Sequence, residues 1–360
     1  MFTQTIESLL LQLNTVLVGK KQQVQDCVTC LLAGGHLLLE DIPGVGKTTL
    51  AHALAHSFGL QFSRVQFTAD LMPSDLTGVS VYEASEQGFR FHPGPVFAQV
   101  LLADEINRAS PKTQSALLEA MEEKQVSIEG RSHPLPTPFF VIATQNPLEQ
   151  LGTYPLPESQ LDRFLMRISL GYPNREAELQ LLQNHGHRQL ADALPAHIDS
   201  TTLAQLQAAV LQVHAAVPLL HYIQDLLEAS RNGQWFAQGL SPRAGIALLR
   251  AAKAHALIQG RDYVAPDDVQ AIFVQTMAHR LHPIASAGRS TANALWGNAP
   301  SVLVGDFLYA RSFEMMVELG SMPVMKILSQ ATRIIAGGEV LQLSKVRDAS
   351  TTEETYMEVI

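Results

Sequence analysis

Two glycines, a lysine and two threonines crowd into Asp41-Ile42-Pro43-Gly44-Val45-Gly46-Lys47-Thr48-Thr49. That grouping can bind phosphate. A glycine-rich turn lets backbone N–H groups face an anion, and the positive end of a following helix dipole adds to them. The binding segment is expected to run from Pro43 through Gly44, Val45, Gly46, Lys47 and Thr48 to Thr49. Lys47 would reach the β- and γ-phosphates and the Thr48 hydroxyl would hold Mg²⁺. The full pattern has glycine where Asp41 stands. Pro43-Gly44 can still make the turn, so the departure is expected to matter little.

A second group completes the chemistry. Val100-Leu101-Leu102-Ala103-Asp104-Glu105 is an apolar run ending in two acids. At this distance from a phosphate loop, Asp104 would support the Mg²⁺ and its water shell, and Glu105 would polarise an attacking water. Asn146 follows the run Phe139 to Thr144, at the end of a strand where ligands bind in open α/β sheets. It would orient that water or sense the γ-phosphate, unless it is simply a turn residue before Pro147. Arg163 reads either as a surface ion pair with Asp162 or as an arginine offered to a neighbouring subunit. Arg243 falls in the first turn of a helix capped by Ser241, where a cation opposes the dipole and calls for an anion.

The elements that must position these groups are legible around them. Leu37 to Glu40 is a strand, and Leu50, Ala51, Leu54 and Ala55 begin a helix directly after the loop. Residues Ile6 to Ala33 read as two helices ending at Gly34-Gly35, and Val65–Phe67 as a second strand. Val79–Tyr82 and Phe89–His92 alternate about Gln87-Gly88 as a hairpin. Val126–Ile128 and the run ending at Thr144 are the next strands, with a helix over Lys112–Glu123 before them. Strands separated by helices imply an αβα parallel sheet. After Pro173 the chain turns helical, giving a small all-α lid as far as Pro283. The domains are expected at 1–172, 173–283 and 284–360.

Bulk properties narrow the class. The chain has 360 residues, 46% of them hydrophobic and 16% charged, which describes a globular protein. A net charge of -9 argues against a general nucleic-acid binder. The N-terminus lacks a basic segment ahead of an apolar run, so no signal peptide is expected. Asp306, Arg311 and Glu314 interrupt the most apolar later stretch, so no membrane span is expected. Cys27 and Cys30 are expected to be structural thiols, and a cytoplasmic location fits them.

These motifs, in this order, resemble an AAA+ ATPase of the MoxR family from about Glu7 to Pro283. The resemblance rests on the loop 41–48, Leu102 to Ala109, Glu119 to Val126, Ala143 to Pro147, Leu161 to Phe164, and Ser241-Pro242-Arg243. It implies that the phosphate loop is a Walker A element and that Asp104-Glu105 ends a Walker B strand. It also implies an insert hairpin at about 78–93, a homo-oligomeric and usually hexameric ring, and ATP rather than GTP. It assigns Asn146 as sensor 1, Arg163 as arginine finger and Arg243 as sensor 2. Family members act as chaperone-like remodellers, often with a partner carrying a von Willebrand factor A domain.

The tail is of another kind. From about Gly288 to Ile360 it resembles an internal piece of a trans-polyprenyl diphosphate synthase of the octaprenyl type, an incomplete all-α bundle. Such enzymes hold Mg²⁺–diphosphate on two aspartate-rich motifs that this stretch does not contain, so no prenyl transfer is expected of it. The chain therefore reads as a hybrid, by fusion, misjoining or assembly error, with a natural two-domain protein as the less favoured reading. The leading expectation is an ATP-hydrolysing ring remodeller. The alternatives are a nucleotide-gated scaffold, a DNA-acting motor, which the charge disfavours, and a prenyl synthase.

Overall fold

The structure is a computed structural model describing residues 2–83, 87–147, 152–183, 194–232 and 236–283. Contacts divide the chain into two compact units, Met1–Ile284 and Ala285–Ile360. The all-α bundle expected from about Gly288 to Ile360 lies outside the described residues.

Helices α1 (Phe2–Val16) and α2 (Lys21–Leu32) lead into strand β1 (Leu37–Glu40), and α3 (Lys47–Ser57) follows it. Next come β2 (Phe62–Gln66), the short α4 (Pro73–Thr77), and a hairpin of β3 (Gly78–Glu83) and β4 (Gly88–Pro93). Then follow β5 (Val100–Asp104), α5 (Pro111–Glu123), a second hairpin of β6 (Gln125–Ile128) and β7 (Arg131–Pro134), β8 (Phe140–Gln145), α6 (Glu158–Leu161) and β9 (Met166–Ile168). The remainder is mainly helical: α7 (Arg175–Gln183), α8 (Ser200–Gln212), α9 (Val217–Arg231), α10 (Pro242–Ile258) and α11 (Pro266–Met277). The short strands β10 (Phe236–Gln238) and β11 (His282–Pro283) pair with each other.

One parallel sheet organises the first half, in the order β2-β5-β8-β1-β9. Its apolar runs are sorted by the two-residue period of a strand. Leu37, Leu39, Val100, Leu102, Phe140 and Ile142 join one core with α1, α2, α3 and the later helices. Leu38, Leu101, Ala103, Val141 and Ala143 join another with α5. Both faces are thus buried, which is why continuous apolar strands are tolerated here. Because β9 returns to the far side of β1 from β8, the connections reverse at β1 and leave a crevice at its carboxyl end. The phosphate loop fills that position.

Two expectations need correction. Val126–Ile128 is not a strand of the main sheet; it pairs antiparallel with Arg131–Pro134, a strand the sequence reading did not contain. Its residues, Arg-Ser-His-Pro, have little β propensity, and the turn at Glu129-Gly130 makes the pairing local. The second strand is also longer than Val65–Phe67 and lies at the sheet edge, which explains its polar sequence.

A buried polar seam ties α2 to the later helices. Asp26 is 2% exposed and accepts hydrogen bonds from Gln22 Nε2 at 2.9 Å and Gln275 Nε2 at 3.1 Å. Burial outweighs those bonds and the nearby His255, and pushes its pKa up to about 6. A carboxyl whose native pKa lies above its unfolded value keeps its proton longer in the native state, so stability falls as pH rises from about 4 to about 6. Asp26→Asn is expected to remove that slope. Its unfolding free energy in urea should match the wild type near pH 4 and exceed it at pH 7, by up to about 3 kcal/mol. Equal free energies at pH 7 would refute this.

Candidate functional site

The loop after β1 turns through Gly44 (φ 86°) and Gly46 (φ 98°), both in the left-handed region that favours glycine. A Cβ on either would meet nothing within 4 Å, so conformation rather than crowding requires glycine, and the space beside the loop stays open. α3 starts at Lys47 with no side chain capping its first turn, so those amides remain available to an anion. Beside them lies a cleft of about 420 Å³ lined by Pro43, Gly44, Gly46, Lys47, Thr48, Thr49, His52, Arg64, Gln66, Asp104 and Glu105. Val45 packs against the apolar core instead.

Lys47 Nζ donates to the carbonyl oxygens of Asp41 at 2.6 Å and Ile42 at 3.3 Å. Burial lowers its pKa, against the pull of the Asp41, Asp104 and Glu105 carboxylates. Asp104, at the end of β5, accepts from Thr144 Oγ1 on Oδ1 at 2.6 Å. Its Oδ2 accepts from Arg64 Nη2 at 2.6 Å and Nε at 3.2 Å. Thr144 Oγ1 in turn accepts from the Glu105 N–H at 2.9 Å, so one hydroxyl sets both acids. Glu105 holds a left-handed backbone (φ 57°), costly for a non-glycine residue and common where a side chain must be aimed. Its carboxylate accepts from Gln66 Nε2 at 2.8 Å and Arg108 Nη1 at 3.2 Å.

The donors suit a hard, oxygen-seeking cation. Thr48 and Asp104 face the same cleft, and Asp104 already holds a positive group, the Arg64 guanidinium, at 2.6 Å. Two protein oxygens with the rest supplied by phosphate and water is the usual way Mg²⁺ is held. Among the described residues no cluster of three or more His, Cys, Asp or Glu could hold a metal without such help.

The other expected site residues lie elsewhere. Asn146 is buried just past β8 and is not part of the cleft lining. Arg163 and Arg243 line a second cavity of about 220 Å³ with Glu122, Asp162 and Arg280. Glu122 takes both arginines, Arg163 Nη2 at 2.8 Å and Arg243 Nη2 at 3.2 Å. The anion that Arg243 demands is thus Glu122 in this chain. Asp162 does not pair with Arg163: it accepts from Arg280 Nε at 2.6 Å, and Arg280 also binds the Phe164 carbonyl at 2.9 Å. Ser241 does cap α10, accepting from the Ala244 N–H at 3.1 Å. At α11 the cap differs, because the Asp268 carboxylate reaches back to the Ala265 N–H at 2.8 Å.

Arg64 and Gln66 were missed by the sequence reading. They sit two apart on β2 and share a face at its carboxyl end, a position that sheet order alone makes significant: Gln66 is level with Asp104. Cys27 and Cys30 are free and buried, with thiol pKa values raised by burial, as structural cysteines would be. No helix among the described residues is long and apolar enough to cross a membrane.

Comparison with known proteins shows which families the chain resembles. The ATPase family associated with various cellular activities (AAA) matches residues 36–166, and an AAA lid domain matches 228–295. Chaperone MoxR1 of Mycobacterium tuberculosis is 44% identical over 289 residues, covering 77% of this chain and 75% of that protein. A crystal structure from Cytophaga hutchinsonii, described as a candidate ATPase, superposes with a TM-score of 0.76 at 36% identity, covering 86% of this chain and 94% of its own. Residues 288–360 match the polyprenyl synthetase family. Octaprenyl diphosphate synthase of Escherichia coli is 59% identical over 73 residues there, which is 20% of this chain and only 23% of that enzyme.

Proposed function

We propose, from the premise that this chain belongs to the MoxR family of AAA+ ATPases, that it hydrolyses ATP in a homo-oligomeric ring and spends the cycle on remodelling a protein partner. The observation that carries the reading is one cleft in which a positive-φ glycine loop, the Lys47 ammonium and the Asp104–Glu105 pair converge. The loop amides and the first turn of α3 would bind the β- and γ-phosphates, with the third N–H of Lys47 joining them. Thr48 and Asp104 would hold Mg²⁺, which when bound offsets phosphate charge. Glu105 would orient and deprotonate the attacking water, and Asn146 would steady the end of β8 beside it. Arg163 would serve the cleft of the next subunit, which makes the ring, six-membered in this family by resemblance, a condition of turnover.

The remodelling role is supported by the relative named a chaperone. The β3–β4 hairpin supplies a contact surface: Tyr82 and Phe89 are 56% and 72% exposed and meet edge to face at 5.5 Å. A protein partner, of the von Willebrand factor A type by resemblance, would meet it there. The two buried thiols suit the reducing cytoplasm. The tail matches under a quarter of a synthase.

The test is nucleotide binding and multiple-turnover phosphate release by the assembled protein with Mg²⁺. Lys47→Ala is expected to weaken binding of a fluorescent ATP analogue by roughly 100-fold, because a charge-assisted contact in a half-buried cleft is lost. Wild-type binding without repeated phosphate release would leave a nucleotide-gated scaffold in place of an ATPase.

A further inference from the structure

The phosphate loop departs from its pattern at Asp41, and that residue is bonded on two sides. Its carbonyl oxygen accepts from Lys47 Nζ at 2.6 Å, inside the loop. Its carboxylate, on a residue 7% exposed, turns away from the loop: Oδ2 accepts from the Gly171 N–H at 2.7 Å and from Ser169 Oγ at 3.1 Å. Oδ1 accepts from the Ile42 N–H at 3.1 Å, fixing the rotamer. Residues 169–172 link β9 to the helical region that begins at α7. A second side chain grips them as well. Lys20 Nζ donates to the carbonyls of Leu170 at 2.6 Å, Gly171 at 3.1 Å and Tyr172 at 2.7 Å.

We propose that Asp41 is a positioning residue that couples the phosphate loop to the 169–172 link, so that phosphate bound at Lys47 is felt where the helical region joins the nucleotide domain. The inference rests on the cleft being an ATP site. Lys47 Nζ has three N–H donors, two of them on the Asp41 and Ile42 carbonyls, so a phosphate that takes the third draws the ammonium against its bond to Asp41. Asp41 is one short rigid residue: a shift of its peptide moves the carboxylate, and with it the Gly171 amide and the Ser169 hydroxyl. Lys20 holds the same residues by their carbonyls, which makes the link a clamped strap rather than a free tether. The backbone at 41 is not in the left-handed region, so the loop does not need glycine there and the side chain is free for this second task.

Amide hydrogen exchange of the full chain, with and without a non-hydrolysable ATP analogue and Mg²⁺, tests it, because the Gly171 N–H is itself the bonded donor. In the wild type the analogue should change exchange over 169–172 by about threefold or more. Asp41→Gly restores the pattern glycine; it should bind the analogue about as tightly as the wild type, exchange fast at 169–172 in both states, and lose about tenfold in kcat with little change in KM. Asp41→Asn keeps an acceptor and should recover part of the nucleotide response. If Asp41→Gly does not fold, Ser169→Ala, which removes one partner of the same carboxylate, must shrink the response. A wild type that binds the analogue without any change at 169–172, or an Asp41→Gly or Ser169→Ala protein with an undiminished response, overturns the coupling alone. A wild type that binds no analogue overturns both the coupling and the ATP site.

Discussion

Glu105→Gln is expected to bind an ATP analogue as the wild type does and to lose roughly 10² to 10⁴-fold in turnover, the range for removing a positioned general base. The geometry says why binding should survive. The backbone of residue 105 is held at φ 57° by its N–H bond to Thr144, which does not involve the side chain. A glutamine has the same length, and its amide oxygen can still accept from Gln66 Nε2, now at 2.8 Å from the carboxylate. Asp104 and Lys47, which face phosphate and metal, are untouched. What is lost is the capacity to take a proton from water. Single-turnover and steady-state phosphate release, with affinity measured separately, resolve the two. Turnover within about tenfold of the wild type would assign the base to another group.

How legible this site was depends on how far each contact runs along the chain. The strand–loop–helix around Gly44 and Gly46 could be read because its parts are contiguous and its glycines answer a local demand for positive φ. The acids at 104 and 105 could be read because they end an apolar run. Arg64 could not: its meaning comes from β2 lying beside β5 rather than beside β1, which no local pattern states. Glu122 answers Arg243 from 121 residues away, and Arg280 takes Asp162 from a distance of 118. The sequence rightly demanded an anion near Arg243 but not this one. The loop pattern reports only what residue 41 does for phosphate, whereas the Asp41 carboxylate works at Gly171.

Arg163→Ala is expected to lower turnover by roughly 10³-fold while leaving analogue affinity near the wild-type value, the size of effect for an arginine supplied to a phosphoryl-transfer site. The argument starts from where this arginine is not. It does not line the cleft of its own chain; it lies with Arg243 on the single carboxylate of Glu122. The structure nevertheless supports it closely. Its neighbours Asp162 and Phe164 are held by Arg280 from beyond α11, and its second nitrogen binds the Leu118 carbonyl of α5. An arginine so braced, with its side chain still 31% exposed, suits a target outside the chain. Mixing supplies the decisive reading. Lys47→Ala subunits have an intact Arg163 and a disabled loop, and Arg163→Ala subunits have the reverse. In a mixed ring the first can complete the cleft of the second, so the mixture should turn over faster than either protein alone, with a maximum near equal amounts. A mixture no more active than its parts, in rings shown by light scattering to have exchanged subunits, would mean that Arg163 acts within its own chain or not at all.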